Sequence, residues 1–195
     1  MAYYCSTVAR YDYTATYIDG SAVTDLTTIM KRLLRLSTAL LCLLLVASAA
    51  TAQDGIPAVD VKTLDGKRVN IQDYANNGKP TIISFWATWC KPCKKELDAI
   101  TDVYEDWQAD YDVELLAITI DTRRALAKVK PMVATKGWPF EVLSDADQKL
   151  QNALNIQSVP FTILLDADGN VVYKHTGYVP GDEDELEAQL QALSK

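Results

Sequence analysis

Two cysteines three positions apart, Cys90 and Cys93, enclose Lys91 and Pro92 in the stretch Phe85-Trp86-Ala87-Thr88-Trp89-Cys90-Lys91-Pro92-Cys93-Lys94-Lys95-Glu96-Leu97. A pair of thiols so spaced has three chemical uses: a structural staple, half of a zinc site, or a couple that alternates between dithiol and disulfide. A bridge this short closes a very small loop and restricts the unfolded chain least among disulfides, so it makes a poor staple. Zinc asks for two further ligands, commonly a second CxxC or a histidine pair. The chain has a single histidine, His175, with no cysteine near it, so no metal is expected. What is left is redox chemistry: one thiolate attacks a disulfide to form a mixed disulfide, and the second thiol resolves it. That exchange needs no cofactor, and none is expected.

The flanking residues predict the elements that hold the pair. Lys79 to Trp86 is an apolar, β-rich run that reads as a buried strand, and from Lys91 to Gln108 the residues Leu97, Ile100, Val103, Tyr104 and Trp107 recur at helical spacing. The cysteines therefore sit where strand turns into helix. Pro92 has no N–H to donate and a φ preset for a first helical turn. A sulfur at a helix N-terminus faces unpaired backbone N–H groups and the positive end of the dipole, which favours the thiolate. Cys90 is so placed, and Lys91, Lys94 and Lys95 act in the same direction. Cys93, one turn further in, is expected to be the less exposed, resolving thiol. Trp86 is read as core, and Trp89, directly before Cys90, as the rim of the site, where it contacts partners.

Further along, Val113 to Ile120 predicts a second buried strand, Thr122 to Lys136 a helix, Phe140 to Leu143 a short extended segment and Asp145 to Leu154 another helix. Phe161 to Leu165 and Val171 to His175 read as strands joined by a turn. Asp182-Glu183-Asp184-Glu185 opens a last amphipathic helix carrying Leu186, Leu190 and Leu193, where carboxylates favour the dipole. His175 is given no chemistry. Strands alternating with helices before a terminal hairpin and helix imply an α/β sheet with helices on both faces.

The N-terminal quarter has a different character. From Met30 the chain carries Lys31, Arg32 and Arg35, then an uncharged run from Leu36, then Ala50-Thr51-Ala52. This is the anatomy of a secretory signal peptide over residues 30–52, with cleavage leaving Gln53 first. The run is short for a bilayer span and is diluted by Ser37, Thr38, Ser48 and Thr51, although an uncleaved anchor over residues 31–52 is the alternative. The 29 residues before Met30 are rich in Tyr and Thr and read as an upstream extension from an early start. Cys5 and Cys42 fall in the segment to be lost, so the expected domain, 53–195, keeps only Cys90 and Cys93. With 49% hydrophobic and 23% charged residues, 8 Gly and 7 Pro, the composition excludes a collagen-like or wholly disordered chain. A formal net charge of −7 argues against nucleic acid as a partner.

The Phe85–Leu97 segment closely resembles the active-site segment of the thioredoxin superfamily, most nearly the exported TlpA/ResA-type thiol-disulfide oxidoreductases. The likeness continues through Asp65-Gly66-Lys67, Ser158-Val159-Pro160-Phe161-Thr162 and Asp166-Ala167-Asp168-Gly169; residues 1–52 lie outside it. The resemblance implies a thioredoxin-like fold with a central mixed β-sheet flanked by helices on both faces and an N-terminal β-hairpin extension. It makes Cys90 the nucleophile and Cys93 the resolving thiol, and Val159-Pro160 a cis-proline turn that offers backbone to substrate beside Trp89, Lys91 and Pro92. Glu96 matches a helix glutamate placed near the cysteines, where it would exchange a proton with Cys93 or raise the thiol pKa; otherwise it is a solvated residue beside two lysines. Ser84 departs from the many thioredoxins that carry a buried acid at that strand position, so their proton route does not carry over.

The implied activity is reduction of disulfides in exported proteins by a periplasmic monomer recharged by a membrane thiol electron donor, with apocytochrome c as a client class. The competing readings are a disulfide oxidant or isomerase, a peroxidase of the related peroxiredoxin class, and a thioredoxin-fold binding module whose cysteine pair is incidental.

Overall fold

The computed structural model describes residues 28–36 and 55–194, and the chain divides into two units, Met1–Ala52 and Gln53–Lys195. In the first unit residues 28–36 are helical (α1) and exposed. The proposed cleavage site at Ala50-Thr51-Ala52, Cys42, Cys5 and nearly all of the upstream extension lie outside the described residues. Among the described residues no helix is long and apolar enough to cross a membrane.

The second unit is built on a seven-stranded mixed sheet. Its strands are β1 (Asp60–Thr63), β2 (Arg68–Asn70), β3 (Thr81–Trp86), β4 (Glu114–Thr119), β5 (Glu141–Ser144), β6 (Phe161–Leu165) and β7 (Val171–Thr176), in the order β2-β1-β5-β4-β3-β6-β7. The three central strands β3, β4 and β5 run parallel, whereas β6, β7, β1 and β2 each join antiparallel. Every residue of β3 is buried, so both faces of the sheet are covered, as its continuous apolar run requires. The helices are α2 (Gln72–Ala75), α3 (Lys91–Tyr111), α4 (Val129–Lys136), α5 (Lys149–Ala153) and α6 (Asp182–Leu193). α3 packs against α6, and its apolar stripe of Leu97, Ile100, Tyr104 and Trp107 is buried.

The N-terminal hairpin forms as expected, β1 pairing with β2 around Asp65-Gly66-Lys67, with Gly66 at φ 89°. The Asp166–Gly169 turn joins β6 to β7. Gly169 there cannot be replaced without rearrangement, because a Cβ would stand 2.6 Å from Asn76 Oδ1 and 2.9 Å from the Ala75 carbonyl oxygen.

Two helices depart from the sequence reading. Thr122–Lys136 is not one helix: a turn and a short 3₁₀ segment, Leu126–Lys128, precede α4, which begins at Val129. Pro131 explains the late start, since proline lacks the N–H an earlier helix would need there and is tolerated only in a first turn. Asp145–Leu154 likewise contracts to Lys149–Ala153. Asp145 leaves the helix to serve it, its two carboxylate oxygens accepting the N–H groups of Lys149 at 2.9 Å and Gln151 at 2.8 Å.

Candidate active site

β3 runs straight into the cysteine pair. After Trp86 the chain turns, the Cys90 N–H donates to the Ala87 carbonyl at 3.0 Å, and α3 starts at Lys91. Cys90 is the N-cap, with extended backbone (φ −83°, ψ 103°), and its Sγ accepts the Cys93 N–H at 3.2 Å, with Pro92 in the first turn. A sulfur takes the place a Ser or Asp oxygen usually holds at this position. An orphan amide of the helix start therefore points at the atom where negative charge develops when the pair is reduced.

In the structure Cys90 and Cys93 are joined by a disulfide, Cα to Cα 5.4 Å. Cys90 keeps 4% exposure and Cys93 none, the order expected of an attacking and a resolving sulfur. Trp89 is 68% exposed beside them, Trp86 is fully buried, and Lys91 and Pro92 are exposed on the first turn of α3.

The Val159–Pro160 peptide is cis. Register places it: Phe161 pairs with Phe85, so Pro160 stands at the level of Trp86, at the end of β3 that leads to Cys90. Pro160 is buried and Val159 partly so.

A support that sequence reasoning missed lies under the loop. Asp121, just beyond the end of β4, is 1% exposed. It accepts the Thr88 N–H at 2.7 Å, the Thr88 hydroxyl at 2.8 Å and the Thr119 hydroxyl at 2.7 Å. From the other side the Lys94 ammonium donates to the Thr88 carbonyl at 2.9 Å. The residues just before Cys90 are thus fixed by β4 and by α3 together. The neighbouring strands β3 and β4 are parallel and in register from Thr81–Glu114 to Trp86–Thr119, which brings Asp121 under Thr88. A lone Asp after an apolar strand carries no local signal of that role.

Glu96 lies one helical turn beyond Cys93 and is not solvated: only 5% of it is exposed. Its Oε1 accepts the Thr162 hydroxyl at 2.6 Å and its Oε2 the Ser84 hydroxyl at 3.3 Å. Ser84 and Thr162 are cross-strand partners on β3 and β6 and offer two donors side by side. Burial pushes the Glu96 carboxyl from the usual 4.5 up to about 7; the two hydroxyls pull it down and the Asp182 carboxylate adds to the rise. At Ser84, the strand position where the sequence departs from the acid of many thioredoxins, the hydroxyl donates to a carboxyl supplied by the helix.

The model of the AhpC/TSA family matches residues 52–174. The thiol-disulfide oxidoreductase ResA of Bacillus thuringiensis is 31% identical over 138 residues, 71% of this chain and 76% of that protein. Among solved structures, an uncharacterized thioredoxin-like protein from Porphyromonas gingivalis is similar at 44% identity and a TM-score of 0.64, covering 71% of this chain and 90% of the other. A secreted Mycobacterium tuberculosis disulfide oxidoreductase shares the fold at 24% identity and a TM-score of 0.55, over 70% and 96% of the two chains. The cysteine-capped helix lies inside the span matched by the family model, and the chain belongs to the AhpC/TSA family, as a thiol-disulfide oxidoreductase of thioredoxin-like fold.

Proposed function

We propose that the protein is a reductant of disulfides in exported proteins. In its dithiol form the Cys90 thiolate attacks one sulfur of a client disulfide; a mixed disulfide forms, and the other client sulfur leaves as a thiolate that takes a proton from water. Cys93 then gives its proton to the Glu96 carboxylate and attacks Cys90 Sγ. The second client sulfur leaves and is protonated, and Cys90–Cys93 becomes the disulfide. Two electrons have passed to the client, and a dithiol donor at the membrane returns them.

The observation that carries this reading is Cys90 Sγ capping α3 with its partner sulfur fully buried behind it. Glu96 serves as base because it lies one turn from Cys93 on the same side of the helix and changes charge near neutral pH. Val159, Pro160, Trp89, Lys91 and Pro92 frame the attacking sulfur and would receive an extended client segment. Export is supported by the charged-then-apolar pattern of residues 30–52 and by the secreted relative. Oxidised apocytochrome c is the client class proposed, and a monomer the acting form.

Insulin reduction driven by dithiothreitol tests the core of the proposal: it is expected with the parent chain and lost in Cys90→Ser. Activity indifferent to that change would leave only a binding module. Direction is tested by equilibrium with glutathione. A reductant lies near the thioredoxin value of about −270 mV, and a potential near the DsbA value of about −120 mV would make the protein an oxidant instead.

A further inference from the structure

Glu96 has a second neighbourhood, on the side away from the cysteines. His175 on β7 is the cross-strand partner of Thr162, the residue that donates to Glu96. Between Glu96 and His175 lies a cavity of about 10 Å³, room for one water molecule, whose walls include Thr162, Tyr178 and Asp182. His175 Nε2 is 3.1 Å from Asp182 Oδ2, which also accepts the Val179 N–H at 2.7 Å. The side chains of His175 and Asp182 are 33% and 23% exposed, so this wall of the cavity reaches solvent.

We propose that His175, held by Asp182, is the proton outlet of Glu96, a single water in the cavity passing the proton between carboxyl and imidazole. The inference rests on the reading of Glu96 as the base for Cys93. During the mixed disulfide the client covers the Trp89–Cys90 end of α3, and a proton taken from Cys93 has to leave by another face. The Glu96 carboxyl returns it to the cavity water, one imidazole nitrogen takes it up, and the imidazolium releases a proton to solvent.

The other groups facing Glu96 do not compete. From α3 itself comes Cys93; from β3 and β6 only the hydroxyls of Ser84 and Thr162. Tyr173 on β7 and Tyr178 are both pushed upward by burial, Tyr178 to about 12, and stay protonated. On α6, Glu183 is already engaged by the Tyr178 hydroxyl at 3.0 Å and the Gly181 N–H at 3.1 Å.

The test uses the reduced full chain and dithionitrobenzoate in stopped flow. The first thionitrobenzoate is released when Cys90 attacks and the second when Cys93 resolves, so the two steps are seen separately. Near pH 6 most Glu96 is protonated and must lose its proton before it can act. There His175→Ala and His175→Gln are both expected to slow the second phase about tenfold and leave the first unchanged, with imidazole added to the buffer restoring the rate. Near pH 8, with the carboxylate already formed, neither variant differs from the parent. An unchanged second phase near pH 6, an equal slowing at both pH values, or a loss that imidazole does not restore overturns the outlet. Glu96→Gln separates the layers: if it leaves the second phase untouched, the base reading itself fails. If it slows that phase and His175→Gln does not, only the outlet fails.

Discussion

Two side chains carry expectations that can be measured without knowing the client. Glu96 has a folded pKa of about 7 against 4.5 for an ordinary glutamate. The folded state therefore holds a proton that the unfolded state gives up. The stability this contributes is fully present below pH 4.5 and is lost as the pH rises to about 7. At 1.36 kcal/mol per unit the loss is on the order of 3 kcal/mol. Urea unfolding of the oxidised protein and of Glu96→Gln should differ by an amount that grows across that window in favour of the glutamine variant; a difference flat with pH would mean the carboxyl is not held as described. Trp89 makes the opposite case. At 68% exposure it contributes little to folding, so Trp89→Ala should change stability by less than about 0.5 kcal/mol. An exposed aromatic beside a reactive atom is an anchor for partners, and insulin reduction should lose about tenfold in kcat/KM. A loss of stability with unchanged kcat/KM would remove Trp89 from the substrate surface.

At the scale of elements, the site is a helix start braced by the neighbouring strand. Asp121→Ala would leave the Thr88 N–H and the hydroxyls of Thr88 and Thr119 without their acceptor in a region where Thr88 is 8% exposed and Thr119 is fully buried. At 1–3 kcal/mol for each unsatisfied group, and less than additive, a loss of about 3 kcal/mol is expected in urea unfolding. Insulin reduction should fall as well, because the loop that aims Cys90 loses its anchor; a destabilised variant with full activity would show that the brace serves the fold alone. The strand, the helix and the place of Cys90 at the helix start were legible because each is written locally: an apolar run, a 3.6-residue stripe, a proline in the first turn. The brace was not, because Asp121 meets Thr88 only through the parallel register of β3 and β4. The same limit applies to Glu96, where the family resemblance put a carboxyl near the cysteines but left open whether water reached it. The answer lay in Ser84 and Thr162 on two other strands. Helix boundaries failed where local chemistry was overlooked, at Pro131 and at the capping Asp145.

At the scale of the whole chain, the buried hydrophobic cluster among the described residues runs from Ile56 to Leu190, and the seven strands that position Cys90, Asp121, Glu96 and His175 lie within the same span. The sheet order itself was not legible: β1 pairs with β5 and β3 with β6, contacts of high sequence separation that no periodicity encodes. That order is also what brings His175, a histidine without local context, to the wall of the cavity that Glu96 lines. If residues 1–52 serve export and are then removed, the enzyme has to be whole without them. A chain of residues 53–195 should therefore melt within about 2 °C of the full chain, a difference equivalent to about 0.5 kcal/mol or less, and should reduce insulin at the same rate. Calorimetry of the oxidised forms and the turbidity assay decide it. A markedly lower melting temperature or rate in the shorter chain would mean that the N-terminal residues hold part of the fold or of the client, and the reading of residues 30–52 as a removable signal would be lost.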